Sequence, residues 1–193
     1  MIPTTTLSGV LPPFLGESPA SRAMVSPYRS STRDFVSRYC SSPVRAELLS
    51  GLLGYRRALL AAGIVDGFQW IDGSFIENVE ELRGRPPADI DVVTFARRPR
   101  DSVMDDAWGA WVSSHFDACL NTEGIKDRYH CHTFFIDLDK CPDVLVRDTS
   151  YWYGLFSHQR ETALWKGMVE LPLSSDDEEG VKILEGVLDG QTA

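Results

Sequence analysis

Helical and strand patterns alternate along this chain from residue 42 onwards. The first pattern is the clearest, because Ser42-Pro43 is a typical helix start and leucines then recur at helical spacing until Gly63. Short apolar runs of strand character alternate with further helical patterns, which predicts an α/β (α+β) fold: a small mixed sheet of about four to five strands flanked by helices. The predicted helices are 42–63, 75–82, 105–120, 148–156 and 176–188, and the predicted strands are 68–71, 89–95, 132–138 and 167–171.

The first 41 residues lack such a pattern. Five prolines lie within residues 1–30, and apolar periodicity there is weak. We therefore expect an irregular N-terminal arm over residues 1–41, which packs on the core through an apolar cluster at residues 10–15. A single domain over residues 42–193 is expected to follow, because no linker interrupts that part of the sequence.

The net charge of −9 is unevenly distributed. Residues 1–62 carry seven arginines against three acidic residues, so the excess of negative charge lies in the rest of the chain. Because such a surface repels phosphate backbones, we expect no broad binding to duplex DNA. A divalent metal ion suits the acidic part better.

The cysteines predict a reducing environment. Cys40, Cys119, Cys131 and Cys141 form no CxxC pair, and a domain of this size needs no disulfide to fold. No signal peptide is recognised, and no apolar run approaches about 18 residues, the length that a membrane-spanning helix needs. We therefore expect a cytoplasmic protein without a membrane partner.

Two aspartates at a spacing of two follow a glycine-serine turn. On a strand, Asp89 and Asp91 point to the same face, and their repulsion is unfavourable unless a cation lies between them or one is protonated. Carboxylate oxygens favour magnesium or manganese, which also bind nucleotide phosphates. Upstream, Gly73 lets the backbone approach a phosphate, and Ser74 with the amides of the following helix can donate hydrogen bonds to it. The pattern predicts metal-assisted phosphoryl or nucleotidyl transfer.

The order of these motifs is similar to that in a known superfamily of proteins. The stretch 67–95, a strand, a Gly-Ser turn, a helix and an Asp-x-Asp strand, resembles the polymerase-beta-like nucleotidyltransferase superfamily. The flanking block Leu11-Pro12-Pro13 with its long helix and the segment 151–169 look like a small, largely uncharacterised bacterial family of nucleotidyltransferase-like proteins. The resemblance implies a palm-like core in which Gly73 and Ser74 bind the triphosphate.

The resemblance also implies three carboxylates that are catalytic and bind metal: Asp89, Asp91 and a third acid from a later strand. The family pattern places that acid near the start of the strand, where this chain has His132, whereas Asp137 lies five residues on and on the opposite face of a regular strand. We assign Asp137 as the third acid, with His132 as the alternative occupant. If His132 holds the position, the second metal ion is weakened, and nucleotide binding without efficient turnover is expected.

Two further positive residues lie shortly before the last predicted strand. Arg160 and Lys166 are either triphosphate contacts, and so part of the nucleotide-binding set, or surface charges. The aromatic residues are interpreted as core and helix packing rather than as a platform that stacks a base. This interpretation covers Trp108, Trp111, Tyr151, Trp152 and Tyr153.

Together these features favour a metal-dependent nucleotidyltransferase. Its substrate is expected to be a nucleoside triphosphate, its cofactor magnesium or manganese, and its acceptor a hydroxyl of a protein, an RNA or a small molecule. The alternative is a catalytically weak or inactive nucleotide-binding sensor or interaction module, for example an antitoxin or defence component. The identity of the third acid decides between the two.

Overall fold

The computed structural model describes residues 1–21 and 24–189. Twelve regular elements lie in this part of the chain, with 3₁₀ turns at Ser74–Ile76 and Arg100–Ser102 and a π turn at Phe116–Leu120. The strands are β1 (Tyr28–Arg29), β2 (Gly67–Asp72), β3 (Ile90–Ala96), β4 (Cys131–Asp137) and β5 (Val169–Pro172). The helices are α1 (Thr32–Tyr39), α2 (Pro43–Ala61), α3 (Val79–Arg83), α4 (Asp105–His115), α5 (Thr122–Tyr129), α6 (Pro142–Phe156) and α7 (Asp177–Asp189).

The five strands form one mixed sheet in the order β1-β5-β2-β3-β4. Strand β2 runs antiparallel to both of its neighbours, whereas β3 pairs with β4, and β1 with β5, in parallel. The predicted α/β class with a small mixed sheet flanked by helices is confirmed. In the observed register Asp72 lies opposite Asp91, and Asp91 lies opposite His132. Three polar side chains therefore meet where β2 ends and β3 and β4 begin.

Helix α2 anchors the core. It is capped by Ser42, whose side chain accepts from the Arg45 amide, and its buried leucines pack against the sheet. The fully buried Arg56 donates to both carboxylate oxygens of Asp177, to the Gln69 side chain and to the backbone of β5. A buried guanidinium is tolerated because these acceptors satisfy its donors. This one residue ties α2, α7 and the middle of the sheet together.

The N-terminal arm differs from the expectation of irregular structure over residues 1–41. Its first part is pinned by Val10 and Leu11, which are buried, but residues 28–39 form β1 and α1. Strand β1 is set by backbone hydrogen bonds from Tyr28 to Met168 and from Ser30 to Glu170. A two-residue strand whose partner lies in a distant part of the chain leaves no periodic signal in its own sequence.

Several helix boundaries also differ from the predicted ones. The helix expected over 75–82 is a 3₁₀ turn followed by the five-residue α3, and the helix expected over 105–120 ends at residue 115 and continues as a π turn. Helix α5 was not predicted, and α6 begins six residues before the expected start. The terminal helix lies close to its predicted position. No helix among the described residues has both the length and the apolar character needed to cross a membrane.

Candidate functional site

A cavity of about 660 Å³ opens at the end of the sheet where β2 ends and β3 and β4 begin. Its floor is formed by the strand ends and the Gly73-Ser74 turn, one wall by α6, and the remainder by residues around Arg83 and by the segment 158–166 before β5. This volume lies within the range of pockets that enclose small molecules. We call this region of the molecule the cavity end of the sheet.

The Gly73-Ser74 turn requires glycine. Gly73 has φ +79°, and a Cβ at this position would lie 2.2 Å from Oδ2 of Asp91. Only glycine adopts this backbone without strain and leaves room for the carboxylate. Ser74 begins the 3₁₀ turn and lines the cavity. The polar groups at this point of the cavity therefore belong to a tight turn rather than to the start of a long helix.

Three strand residues form a row across the floor of the cavity. Asp91 Oδ1 lies 3.2 Å from Nδ1 of His132, and Asp72 lies on the other side of Asp91 in the sheet. Burial raises the pKa of Asp91, the charge of Asp89 raises it further, and the hydrogen bond from His132 opposes the change. The His132 ring is held edge-on against Phe134, with 4.7 Å between ring centres. The imidazole is thus fixed beside Asp91 rather than free in solvent.

Lys166 is buried among acidic groups behind this row. Its Nζ lies 2.9 Å from Oε1 of Glu77 and 3.1 Å from Oδ1 of Asp72. Among the described residues, this Asp72 oxygen has the positive charge of Lys166 nearby but no hydrogen bond of suitable geometry. Burial raises the pKa of Asp72 to about 7, although Lys166 opposes the rise. Burial disfavours the charged form of Lys166, but the two carboxylates outweigh it and raise the pKa of the ammonium. Lys166, expected as either a triphosphate contact or a surface charge, lines the cavity but is buried and paired, and it links the end of β2 to Glu77.

Glu77 completes this buried cluster. Besides Lys166 it accepts from Nε2 of Gln159 at 2.9 Å and pairs with Arg83 at 3.4 Å. Glu77 and Lys166 are 4% and 3% exposed, so each needs its partners in order to remain charged. The cluster joins β2, the turn, α3 and the segment before β5 around the base of the cavity.

Asp89 lies just outside the cavity lining. It precedes β3 and forms a 2.7 Å ion pair with Lys126 of α5. Its charge nevertheless reaches Asp91, whose pKa it raises. The structure thus brings Gly73, Ser74 and Asp91 to one cavity and places Asp89 beside it.

The assignment of Asp137 as third acid is corrected by the register of β4. Because β3 and β4 are parallel, His132 lies opposite Asp91, while Asp137 lies opposite Ala96 at the other end of the strands. There Asp137 Oδ2 accepts from Nε of Arg98 at 2.8 Å. The alternative occupant, His132, holds the position beside Asp91.

The magnesium or manganese site that the resemblance implies can be tested against these contacts. Asp89 is paired with Lys126, Asp91 is hydrogen-bonded to His132, and Asp137 is at the far end of the sheet. Within residues 1–21 and 24–189 no group of three or more His, Cys, Asp or Glu side chains is arranged to hold a metal ion. The residues present do not fit a metal site built from three carboxylates.

Two cavity features were missed by sequence reasoning. Tyr151 and Trp152 of α6 were interpreted as packing residues, yet they line the cavity with Phe134, whose ring centre lies 4.2 Å from that of Trp152. The spacing of Tyr151 and Leu155 on one exposed helical face was the available signal. Trp108 and Trp111, by contrast, stack on each other at the core.

The second feature is an exposed arginine, Arg85, which lies at the cavity together with Arg160. Arg85 and Arg160 line the cavity and form no ion pair with any residue that the structure describes. Arg160 was expected as a possible triphosphate contact, and it lies at the cavity as that expectation requires. Arginines without an acidic partner are suited to bind a phosphate group.

The comparisons with known proteins identify a family without assigning an activity. The model of a family of unknown function, DUF6932, matches residues 3–172, a range that contains all five strands and ends with β5. No curated protein and no solved structure matches the chain. The match spans most of the sequence and includes every cavity residue named above, so the chain belongs to the family of unknown function DUF6932.

Proposed function

We propose that this chain is a nucleotide-binding module, a sensor or interaction protein that takes a nucleoside triphosphate into the cavity and transfers its nucleotidyl group slowly or not at all. The observation that carries the proposal is His132, which stands beside Asp91 where a third carboxylate would be needed for efficient transfer. The cavity around this pair supplies a phosphate-binding side and an aromatic side.

The phosphate side is built from a turn and two arginines. Gly73 has no side chain, so the backbone of the turn is free to approach a ligand, and the Ser74 hydroxyl can donate to a phosphate oxygen. Arg85 and Arg160 supply positive charge without a competing acidic partner among the described residues. A ligand with several phosphate groups matches this set better than a neutral metabolite does.

The aromatic side is built from α6 and β4. Tyr151 is 62% exposed, so its ring is available for contact with a ligand, and Trp152 and Phe134 continue the same wall. Planar bases stack on such rings with modest sequence preference. Phosphate contacts and a ring wall within one cavity favour a nucleotide over inorganic phosphate.

Weak transfer follows from the state of the carboxylates. Transfer requires the acceptor hydroxyl to lose its proton as the new bond to phosphorus forms, and a metal ion with three acids commonly assists that loss. Here Asp91 shares a hydrogen bond with His132, Asp89 is paired with Lys126, and Asp137 is elsewhere. An antitoxin or defence component that responds to nucleotide is one form such a module takes.

The first test is thermal stability in the presence of nucleotides. A ligand that binds only the folded protein stabilises it by about 2.7 kcal/mol at a hundredfold excess over its Kd, which raises the melting temperature measurably. We expect a nucleoside triphosphate to raise it and inorganic phosphate to have little effect. Arg85→Ala and Arg160→Ala should each weaken binding about tenfold. Arg97→Ala, an exposed arginine at the other end of the sheet, is the matched control.

The second test separates the module from a transferase. The protein is incubated with labelled nucleoside triphosphate, magnesium or manganese, and candidate protein and RNA acceptors. We expect binding with little label transferred. Robust transfer that Asp91→Asn abolishes would reject the proposal in favour of a metal-dependent nucleotidyltransferase, and the absence of any thermal shift would reject nucleotide binding itself.

A further inference from the structure

Asp89, just before β3, and Asp91, near the start of β3, are each bound by a side chain, and both of these side chains come from the same neighbouring segment. Lys126 Nζ lies 2.7 Å from Oδ2 of Asp89, and His132 Nδ1 lies 3.2 Å from Oδ1 of Asp91. Both partners belong to the stretch that runs from the last turn of α5 into β4. This stretch is itself fixed to β3, because the Ile90 amide donates to the His130 carbonyl at 3.0 Å.

We propose that Lys126 and His132 replace a divalent cation in this site, so that the cavity binds the phosphates of its ligand without a metal ion. Two carboxylates at this spacing repel each other and need positive charge or proton donors nearby. Lys126 supplies the charge: its hydrogen bond to Asp89 raises the pKa of the ammonium, and Asp91 adds to the rise. His132 supplies the donor to Asp91. The identity of the ligand rests on the proposed function, whereas the replacement itself rests on these contacts.

The contacts also explain how a metal ion is kept out. A cation between Asp89 and Asp91 would have to displace an ammonium at hydrogen-bond distance and an imidazole held against Phe134. Both displacements oppose binding, the first through like-charge repulsion and the second through loss of a fixed hydrogen bond. Removing both groups and adding a carboxylate at position 132 should therefore convert the site into one that binds metal.

The test measures Mn²⁺ binding by electron paramagnetic resonance on metal-free protein, with no nucleotide present. We expect the double variant Lys126→Met with His132→Asp to bind Mn²⁺ at least about tenfold more tightly than the wild type. Lys182→Met is the matched control, because Lys182 also lies on a helix and forms a 2.7 Å pair with a carboxylate, Glu179. It should bind Mn²⁺ as the wild type does.

Three results would overturn the replacement: a wild type that binds Mn²⁺ as tightly as the double variant, a double variant no better than Lys182→Met, or a nucleotide-induced thermal shift of the wild type that appears with Mg²⁺ and vanishes in EDTA. Lys126 is 44% exposed, so Lys126→Met alone should fold and should show part of the gain. If the double variant does not fold, an unchanged Lys126→Met rejects the proposal. Since the Mn²⁺ titration contains no nucleotide, it decides this question even if nucleotide binding fails.

Discussion

Aspartates at the two ends of the central strands have pKa values that are shifted in opposite directions. At the cavity end, burial raises the pKa of Asp72 to about 7 and also raises that of Asp91. At the far end, Asp137 pairs with Arg98 at 2.8 Å, and the Arg98 backbone amide together with Arg97 lowers the pKa of Asp139. The same residue type is thus disfavoured as an anion at one end of the sheet and favoured at the other.

This difference indicates which end of the sheet contributes to the stability of the fold and which does not. Acids at the far end have arginine partners of ordinary geometry, as structural ion pairs do. At the cavity end Asp72 and Glu77 are buried and share one buried ammonium, that of Lys166, an arrangement that lowers stability and is typical of sites where a ligand is expected.

The largest effect is expected on removing the buried lysine. Lys166→Met leaves Asp72 and Glu77 buried without their shared ammonium and should lower the free energy of unfolding by about 3 kcal/mol. The counterpart at the far end is Arg97→Met, which should lose at most about 1 kcal/mol because the Arg97 side chain is more than half exposed. Urea denaturation at neutral pH measures both values. Equal losses would contradict the contrast between the ends.

The next effect concerns the turn. Gly73→Ala introduces a Cβ that would lie 2.2 Å from Oδ2 of Asp91 at a positive φ, and it should lower the free energy of unfolding by about 2 to 3 kcal/mol. Gly84→Ala is the matched control: its φ is +62°, but open space surrounds the added carbon, so only the backbone strain of about 1 kcal/mol is expected. If the two variants are equally stable, the close approach of Gly73 to Asp91 is not a constraint.

The third effect is on pH dependence. In the folded state Asp72 keeps its proton up to about pH 7, whereas in the unfolded state the carboxyl group loses it near pH 4. This group therefore lowers the free energy of unfolding as the pH rises from about 4 to about 7. Asp72→Asn should flatten that fall. Asp139 has a lowered pKa, so its contribution is present at neutral pH and is lost in acid, and Asp139→Asn should differ from the wild type only at neutral pH. Urea denaturation across this range would show both, and parallel curves for all three proteins would contradict the assignment.

The smallest effect is expected on ligand affinity. Tyr151→Ser removes an exposed ring from the cavity wall and should weaken nucleoside triphosphate binding by about 1 kcal/mol, measured by calorimetry. Phe116→Ser, which removes a comparably exposed ring outside the cavity, should leave the affinity unchanged. Identical affinities for both variants would remove the aromatic wall from the proposed site.

The fold class was predictable because its main elements carry strong local patterns. Helix α2 has its N-cap, its proline and its leucines in one continuous segment, and β3 is a short run rich in apolar and β-branched residues. Helix α5 was missed because it is only eight residues long, contains Gly124 and buries Ile125 alone among its side chains. Strand β1 was missed because its pairing partner lies far along the chain. Local sequence patterns predict long elements well, but they predict poorly the short elements that depend on tertiary contacts.

The site was predictable only where its residues lie on elements that follow one another along the chain. Gly73, Ser74 and Asp91 lie together because a strand, a turn and the next antiparallel strand bring them there. The choice between His132 and Asp137 depended on the register of β4 against β3, which no single strand encodes. The role of Lys126 depends on how α5 packs beside β3, so the sequence pattern did not indicate it, whereas the spacing of Tyr151 and Leu155 was a signal that could have been used.

The position of β5 has a consequence for how the molecule is made. Strand β1 has β5 as its sheet partner, and β5 lies between β1 and β2. On the ribosome, Tyr28 emerges long before Val169, the residue it pairs with, and the Leu11 carbonyl likewise waits for the amide of Gly167. The sheet can therefore be completed only late in synthesis, when β5 enters the gap and joins the first-made strand to the rest.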